Sequence, residues 1–460
     1  MIDYPLYEVE ECESFDEFIS IIKSKYDKRI AFKNKKEKWT YNNIYNCISK
    51  CVCEFRKYHI KNIVIHIKNS CYFFIAYFSA ILSGRIAFLS DDKKIIGSDY
   101  LFITDELLES IINNSIYTKV DFKETCLSPE ELCTVVCSSG TTNKIKGIKL
   151  SQKNLLSDTF AGMKMYEYKE TDVYFNILPY THLFGIVADL LGPLYSGGTI
   201  CFSEESLDFF DNLSFFKPTN LNLPPVMVDL IHKVLVSSSN FEQATGGKLK
   251  KIMCAGAKMN DSVNVEFSKY GLRAYAAYGL TECSPCVSIN RDYYYKSGSV
   301  GKILPCCKVK ILDNQIVVKG NNVMLGYLYD EKLTKETIVD DWLYTGDLGY
   351  LDKDGFLFVT GRLSNMIVFE DGTKLMPESL ENEICSIDFV EECLVSKINQ
   401  NGRIFLSINI ITETKNTELI KKRTIETCYL RGLAQRICEI SFSNKILTKN
   451  KLGKFIRKDN

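Results

Sequence analysis

Val135-Val-Cys-Ser-Ser-Gly-Thr-Thr-Asn-Lys-Ile-Lys-Gly-Ile148 is the stretch from which the rest of the chain can be read. It begins apolar, as a buried strand does, and runs into four hydroxyl side chains: Ser138, Ser139, Thr141 and Thr142. Gly140 and Gly147 carry no Cβ, so the backbone there can turn sharply and approach a ligand closely. Lys144 and Lys146 add positive charge. Hydroxyls, exposed backbone N–H groups and a lysine are what the oxygens of a polyphosphate require. The Walker pattern, a Gly, four residues and then Gly-Lys-Ser/Thr, does not follow Gly140, which disfavours a generic P-loop. Taken alone, the same residues also suit a polar turn between strands.

Outward from this strand, apolar runs alternate in type. Residues 62–67 predict a buried strand, 70–82 a helix and 85–89 another strand. The rhythm continues with strands at 132–137 and 172–178, a helix at 184–194 and a strand at 199–202. Such alternation predicts an α/β fold. After about Lys302 the runs shorten, at 309–312, 315–318 and 355–359, and Asp, Asn and Gly turns separate them. This predicts a small antiparallel, barrel-like subdomain. The last hundred residues predict a small α+β domain: a helix at 377–387, strands at 390–397 and 404–411, a helix at 418–433 and a basic tail. A boundary near Arg362 divides 1–362 from 363–460.

The chain has 460 residues, enough for two or three domains with substantial cores. Its 57 basic and 57 acidic residues cancel, which argues against nucleic acid as a partner. No basic segment followed by an apolar run opens the sequence, and the apolar stretch 70–89 is broken by Ser79, Ser83, Gly84 and Arg85. The expectation is a cytoplasmic protein without a transmembrane segment. Its 18 cysteines then read as reduced thiols. Cys283-Ser-Pro-Cys286 is a CxxC, but no second ligand pair follows at zinc spacing, so small buried thiols are the better reading.

Further motifs follow in order: Leu178-Pro-Tyr-Thr-His182-Leu-Phe-Gly185, residues 218–225, Tyr278-Gly-Leu-Thr-Glu282, Tyr344-Thr-Gly-Asp347, Gly361-Arg-Leu-Ser364 and Leu452-Gly-Lys454-Phe-Ile-Arg457. With the loop at 138–147, this series resembles the adenylate-forming superfamily of acyl-CoA synthetases, peptide-synthetase adenylation domains and luciferases, closest in style to fatty-acid–CoA ligases. The resemblance runs from Trp39-Thr-Tyr41 to Lys458, and it implies two α/β sheet subdomains in the large N-terminal domain. Asn143 and Ile145 stand where the family's loop has Gly and Pro, and Ser364 stands at a hinge position where Asp or Lys is usual.

The resemblance implies a ligase that joins a carboxylic acid to ATP, giving acyl-AMP and pyrophosphate, and then passes the acyl group to a thiol. Ser138, Ser139, Gly140, Thr141, Thr142 and Lys146 would hold the phosphates. Thr281 would bond the α-phosphate and Glu282 would hold Mg²⁺. Gly256, Ala257, Tyr278 and Gly279 would lie along adenine, with Cys254 and Gly279 also bordering the acyl pocket. His182, Phe184 and Gly185 would line that pocket. Asp347 would hold the ribose with Arg362 beside it. Lys454 would bridge the carboxylate and the α-phosphate, and Ser364 would be the hinge.

An α-amino acid would need an acid in the segment 180–185 to pair with its ammonium group, and none is there; Asp189 lies a helical turn or more beyond. A plain carboxylic acid is therefore expected, and a fatty acid is favoured over an aryl acid. Coenzyme A is the expected acceptor. The alternative is an acyl-AMP ligase that loads the phosphopantetheine arm of a carrier protein in trans. A non-catalytic, nucleotide-binding regulator is the alternative of another class; intact Lys146, Glu282, Asp347, Arg362 and Lys454 argue against it.

Overall fold

The computed structural model describes residues 4–90, 99–124, 126–139, 145–203, 209–237, 241–292 and 294–444. Two compact units make up the chain: Met1–Val309 with Val318–Leu343, and Lys310–Val317 with Tyr344–Asn460.

The first unit contains two α/β sheets, as the resemblance implies. One has six strands, in the order Gly326–Tyr327, Ile145–Ser151, Leu132–Ser139, Ile86–Ser90, Asn62–His66 and Tyr100–Thr104. Its centre is parallel: Asn62–His66 pairs with Ile86–Ser90, which pairs with Leu132–Ser139. Helix Cys71–Leu82 makes the crossover between the first two of these. Ser70 caps its start, accepting from the Tyr72 N–H. Nearly every residue of this helix is buried, including Phe73, Phe74 and Phe78. An apolar surface on all sides marks a helix packed within the protein, and each such Phe contributes roughly 2–3 kcal/mol. Among the described residues no helix is long and apolar enough to cross a membrane.

The second sheet has nine strands. Its middle five, Arg273–Gly279, Lys251–Cys254, Asn220–Leu223, Val173–Phe175 and Thr199–Cys201, are all parallel. Buried Leu221, Leu223, Val228, Ile231, Ile252 and Phe267 belong to the core on one face. The strand at 173–175 is shorter than the sequence predicts. It ends at Asn176, whose N–H still bonds Cys201 O at 2.8 Å while its side chain turns to Leu178 O and to Asp189.

The predicted helix at 184–194 is present but is not uniform. Leu183–Ile186 and Gly192–Tyr195 are α-helical, and Val187–Leu191 between them is π-helical. The cause is legible: Pro193 has no N–H to give to the carbonyl four residues back. The Gly192 N–H instead bonds Val187 O, five residues back, and the helix absorbs the proline as a π-bulge.

In the second unit, strand Trp342–Leu351 pairs antiparallel with Leu357–Arg362. Both belong to a five-stranded sheet that follows Lys302, the antiparallel region expected there. Further on, Glu392–Gln400 and Arg403–Ile411 form a nine-pair antiparallel ladder. Helix Thr417–Leu430 then returns the chain to a third strand, Ile437–Ser443, parallel to the second. Leu380, Ile384, Val395, Leu406, Ile408 and Ile420 are buried in the core between helices and sheet.

Candidate active site

Four segments of the first unit emerge at the carboxyl ends of parallel strands. They are residues 176–182 after Val173–Phe175, Pro224 and Pro225 after Asn220–Leu223, 255–257 after Lys251–Cys254, and 280–282 after Arg273–Gly279. An open parallel sheet binds ligands along this edge, because the loops there diverge and leave a crevice. His182, Cys254, Gly256, Ala257, Tyr278, Gly279, Thr281 and Glu282 belong to these segments or the strands that feed them, and Phe184 and Gly185 to the short helix Leu183–Ile186 that follows the first segment.

Gly279 ends its strand against another piece of backbone. A Cβ built there would lie 1.8 Å from Pro285 O and 2.8 Å from the Cys286 Cα. Only glycine allows this contact, which folds the Cys283–Cys286 turn back over the strand. Thr281–Cys283 forms a single 3₁₀ turn, closed by the Cys283 N–H on Leu280 O at 2.8 Å. Below it, Asp158 accepts from the Cys286 N–H at 3.2 Å and from Asn322 Nδ2 at 3.2 Å. Burial holds the Asp158 carboxyl well above the usual carboxylate range. The Cys283 and Cys286 thiols are also pushed up by burial, which makes them packing groups and not nucleophiles. Among the described residues no group of three or more His, Cys, Asp or Glu is arranged to hold a metal ion.

Glu282 is joined to Lys146 through Tyr327. The Tyr327 hydroxyl donates to Glu282 Oε1 at 2.9 Å, and Lys146 Nζ stands 5.4 Å from the centre of the same ring. Backbone pairing fixes the arrangement. Strand Gly326–Tyr327 pairs with Lys149 and Ile148, and the Met324 N–H bonds Glu282 O at 2.9 Å. Lys146 lies opposite Ser138 across the hairpin of Leu132–Ser139 and Ile145–Ser151. Ser138 and Ser139 thus flank one end of the loop and Lys146 the other. Gly140, Thr141 and Thr142 lie outside the described residues, as does Lys454.

Sequence reasoning missed Tyr327. Its signal was slight: a glycine before a tyrosine in an otherwise apolar run. Gly326 adopts φ +126°, a conformation that other residues avoid.

In the second unit, Asp347 and Arg362 face each other across the hairpin as Cα partners. Arg362 Nε lies 3.2 Å from Asp347 Oδ1. Gly346 at φ +73° lets the strand turn, and the Thr345 hydroxyl both accepts from the Asp347 N–H and donates to Ile316 O. The predicted pair is therefore built as a unit. Ser364 is exposed, in the 3₁₀ turn Leu363–Asn365, and Asn365 Nδ2 ties that turn to Glu378 at 2.6 Å.

Comparison with known proteins bears on this geometry. Residues 89–328 match the family model for AMP-binding enzymes. The chain belongs to that family. It is 29% identical over 311 residues to a probable 4-coumarate–CoA ligase 3 of Dictyostelium discoideum, covering 63% of this chain and 55% of that one. It is 24% identical over 466 residues to the 2-succinylbenzoate–CoA ligase of Bacillus cytotoxicus, covering 94% and 95%. It is 26% identical over 341 residues to the human long-chain-fatty-acid–CoA ligase ACSBG1, covering 61% and 45%. The chain thus spans about half the length of two of these relatives and nearly all of the third. Among solved structures, an anthranilate CoA ligase, AuaEII, in complex with anthranoyl-AMP has the same fold: TM-score 0.82, 18% identity, 99% of this chain and 96% of that one. The resemblance to adenylate-forming enzymes and the α/β fold expected from the sequence both hold. The relatives named here are acid–CoA ligases with chemically different acids.

Two substitutions test the local architecture. Gly279→Ala should displace the Cys283–Cys286 turn, lowering the thermal midpoint by several degrees, as a buried steric clash of a few kcal/mol does. An unchanged midpoint by calorimetry would contradict the close backbone contact. Tyr327→Phe removes a hydrogen bond to a carboxylate, a loss of about 1.5 kcal/mol. ATP–pyrophosphate exchange should then fall roughly tenfold. Exchange at the wild-type rate would mean that Tyr327 does not orient Glu282.

Proposed function

We propose that this enzyme is an AMP-forming acid–CoA ligase: it joins a carboxylic acid to ATP, releases pyrophosphate, and transfers the acyl group from AMP to a thiol. The observation that carries the reading is the Lys146–Tyr327–Glu282 cluster beside the carboxyl edge of the parallel sheet.

The chemistry brings a carboxylate to an already negative α-phosphate. Catalysis must then be positioning and charge neutralisation more than proton transfer. Lys146 supplies a cation beside the hydroxyl-rich loop. Thr281 presents a hydroxyl from the 3₁₀ turn. Glu282 offers one carboxylate whose Oε1 is already engaged by Tyr327, so its orientation is set. Mg²⁺ takes few protein carboxylates and shares its remaining sites with water and phosphates, which suits this lone acid. When bound, it would neutralise phosphate charge. Asp347 would accept from the ribose hydroxyls, with Arg362 holding its carboxylate in place. Lys454 would enter as the cation between carboxylate and α-phosphate.

For the substrate we infer a plain carboxylic acid, a fatty acid first and an aryl acid second. The absence of any acid among residues 180–185 argues against an α-ammonium group. Coenzyme A is the acceptor inferred, and a carrier-protein phosphopantetheine is the second reading. The test is incubation of the protein with ATP, Mg²⁺, coenzyme A and a panel of fatty, aryl and amino acids, with products read by mass. A fatty or aryl acyl-CoA thioester supports the proposal. Acyl-AMP that accumulates until a holo-carrier protein is added would move the acceptor to the carrier. An aminoacyl product alone would overturn the substrate reading.

A further inference from the structure

Asp189 is fully buried and lies in the π-helical segment that follows His182. A carboxylate buried without partners is costly, so its surroundings should show what holds it. Asn222 Nδ2 donates to Oδ1 at 2.6 Å, and Asn176 Nδ2 donates to Oδ2 at 2.9 Å. Burial pushes the carboxyl up to about 7, while the Asn222 and Asn176 hydrogen bonds pull it down. Two side-chain amides converge on it, one on each oxygen, the pattern of a site built to hold a carboxylate.

Those donors are not arbitrary. Asn176 begins the turn that ends in His182, and Asn222 comes from the neighbouring parallel strand. The Leu178 carbonyl accepts from Asn176 Nδ2 at 3.0 Å and from Asn69 Nδ2 at 2.6 Å. Asn69 Oδ1 in turn accepts from the Tyr180 N–H at 3.0 Å. The His182 N–H closes the turn on Pro179 O at 3.0 Å. Gly185 packs directly on this turn, since a Cβ there would meet Pro179 O at 2.6 Å. Asn176 thus ties this turn to Asp189 directly, and Asn69, which holds the Leu178 carbonyl and the Tyr180 N–H, joins it through Asn176 Oδ1 at 2.8 Å.

We propose that Asp189 is a positioning residue for the acid substrate: gripped by Asn176 and Asn222, it fixes the turn that presents His182 to the acyl pocket. This rests on the acid–CoA ligase reading of the site. Asp189 touches no substrate itself. It acts through the turn, and it owes its place to the π-bulge that Pro193 imposes on the helix. Asp189→Asn puts an amide between two amide donors and leaves one of them without an acceptor.

The experiment compares the wild type, Asp189→Asn and Asn222→Ala by steady-state ATP–pyrophosphate exchange, with acid and ATP varied separately and the thermal midpoint measured alongside. Asp189→Asn should raise the KM for the acid at least tenfold, and Asn222→Ala about threefold, with the ATP KM within twofold of wild type. An acid KM unchanged in a folded Asp189→Asn protein overturns the proposal and leaves the ligase reading standing, as does an equal rise in both KM values. Where Asp189→Asn does not fold, Asn222→Ala decides by the same criterion; loss of the fold in both assigns Asp189 to stability alone and overturns the proposal. No exchange by the wild type with any acid overturns the ligase reading and this inference with it.

Discussion

Glu282→Gln should lower acid-dependent ATP–pyrophosphate exchange by about a thousandfold, roughly 4 kcal/mol of transition-state stabilisation. The substitution keeps the shape of the side chain and its hydrogen bond from Tyr327, since an amide oxygen can accept from the hydroxyl as Oε1 does at 2.9 Å. What it removes is the negative charge. Mg²⁺ favours charged oxygen ligands, and among the described residues no group of three or more His, Cys, Asp or Glu stands ready to take over. The loss should therefore appear mainly in turnover and in the Mg²⁺ concentration required. The thermal midpoint should be nearly unchanged, because a half-buried carboxylate contributes little to folding. Exchange within tenfold of wild type at saturating Mg²⁺ would contradict the role given to Glu282.

Lys454→Ala should cut exchange at least a hundredfold while ATP binding, followed by equilibrium titration, changes by less than about threefold. The argument is electrostatic. As the carboxylate approaches the α-phosphate, negative charge accumulates between them, and a cation that bridges both is worth more in the transition state than in either ground state. The prediction comes from the sequence register Gly453-Lys454-Phe-Ile-Arg457. Lys454→Arg should recover little, because a planar guanidinium cannot replace a compact ammonium at a crowded site. A Lys454→Ala protein that adenylates normally would move the catalytic cation elsewhere, and Lys146 would be the next candidate.

Much of the fold could be read from the chain because its pattern is local. Residues 62–67 and 85–89 are continuous apolar runs with an apolar helix between them, and they appear as neighbouring parallel strands. The helix at 70–82 was marked by Ser70 at its start and Ser83-Gly84 at its end. Local pattern was less informative where tertiary packing took over. The strand at 437–443 carries Cys438 and Glu439 on exposed positions, so its edge character blurred into the basic tail that follows. The π-bulge at 187–191 needed Pro193 to be read as a helix-interior residue, which depends on knowing that the helix continues past it.

Candidate site residues divide in the same way. Glu282, Lys146, Asp347 and Arg362 stand out in the sequence because each is a charged residue inside a short motif. Asp347 and Arg362 prove to be cross-strand partners, a pairing that a separation of fifteen residues in sequence does not reveal. Tyr327 was not found because one tyrosine among 26 carries no signal of its own; only the pairing of Gly326–Tyr327 with Ile145–Ser151 brings it to Lys146 and Glu282. Asp189 was visible but was weighed as a stand-in for an ammonium partner. Its two donors come from residues 176 and 222, which sequence alone does not place together.

The central claim, that this chain forms acyl-adenylates, is tested most directly by acid-dependent ATP–pyrophosphate exchange in the absence of any thiol. The measurement follows labelled pyrophosphate into ATP across fatty, aryl and amino acids, with an acid-free control. Exchange that appears only when a fatty or aryl acid is added is the predicted result. Exchange with none of the acids, by a protein that is folded and binds ATP, would contradict the account.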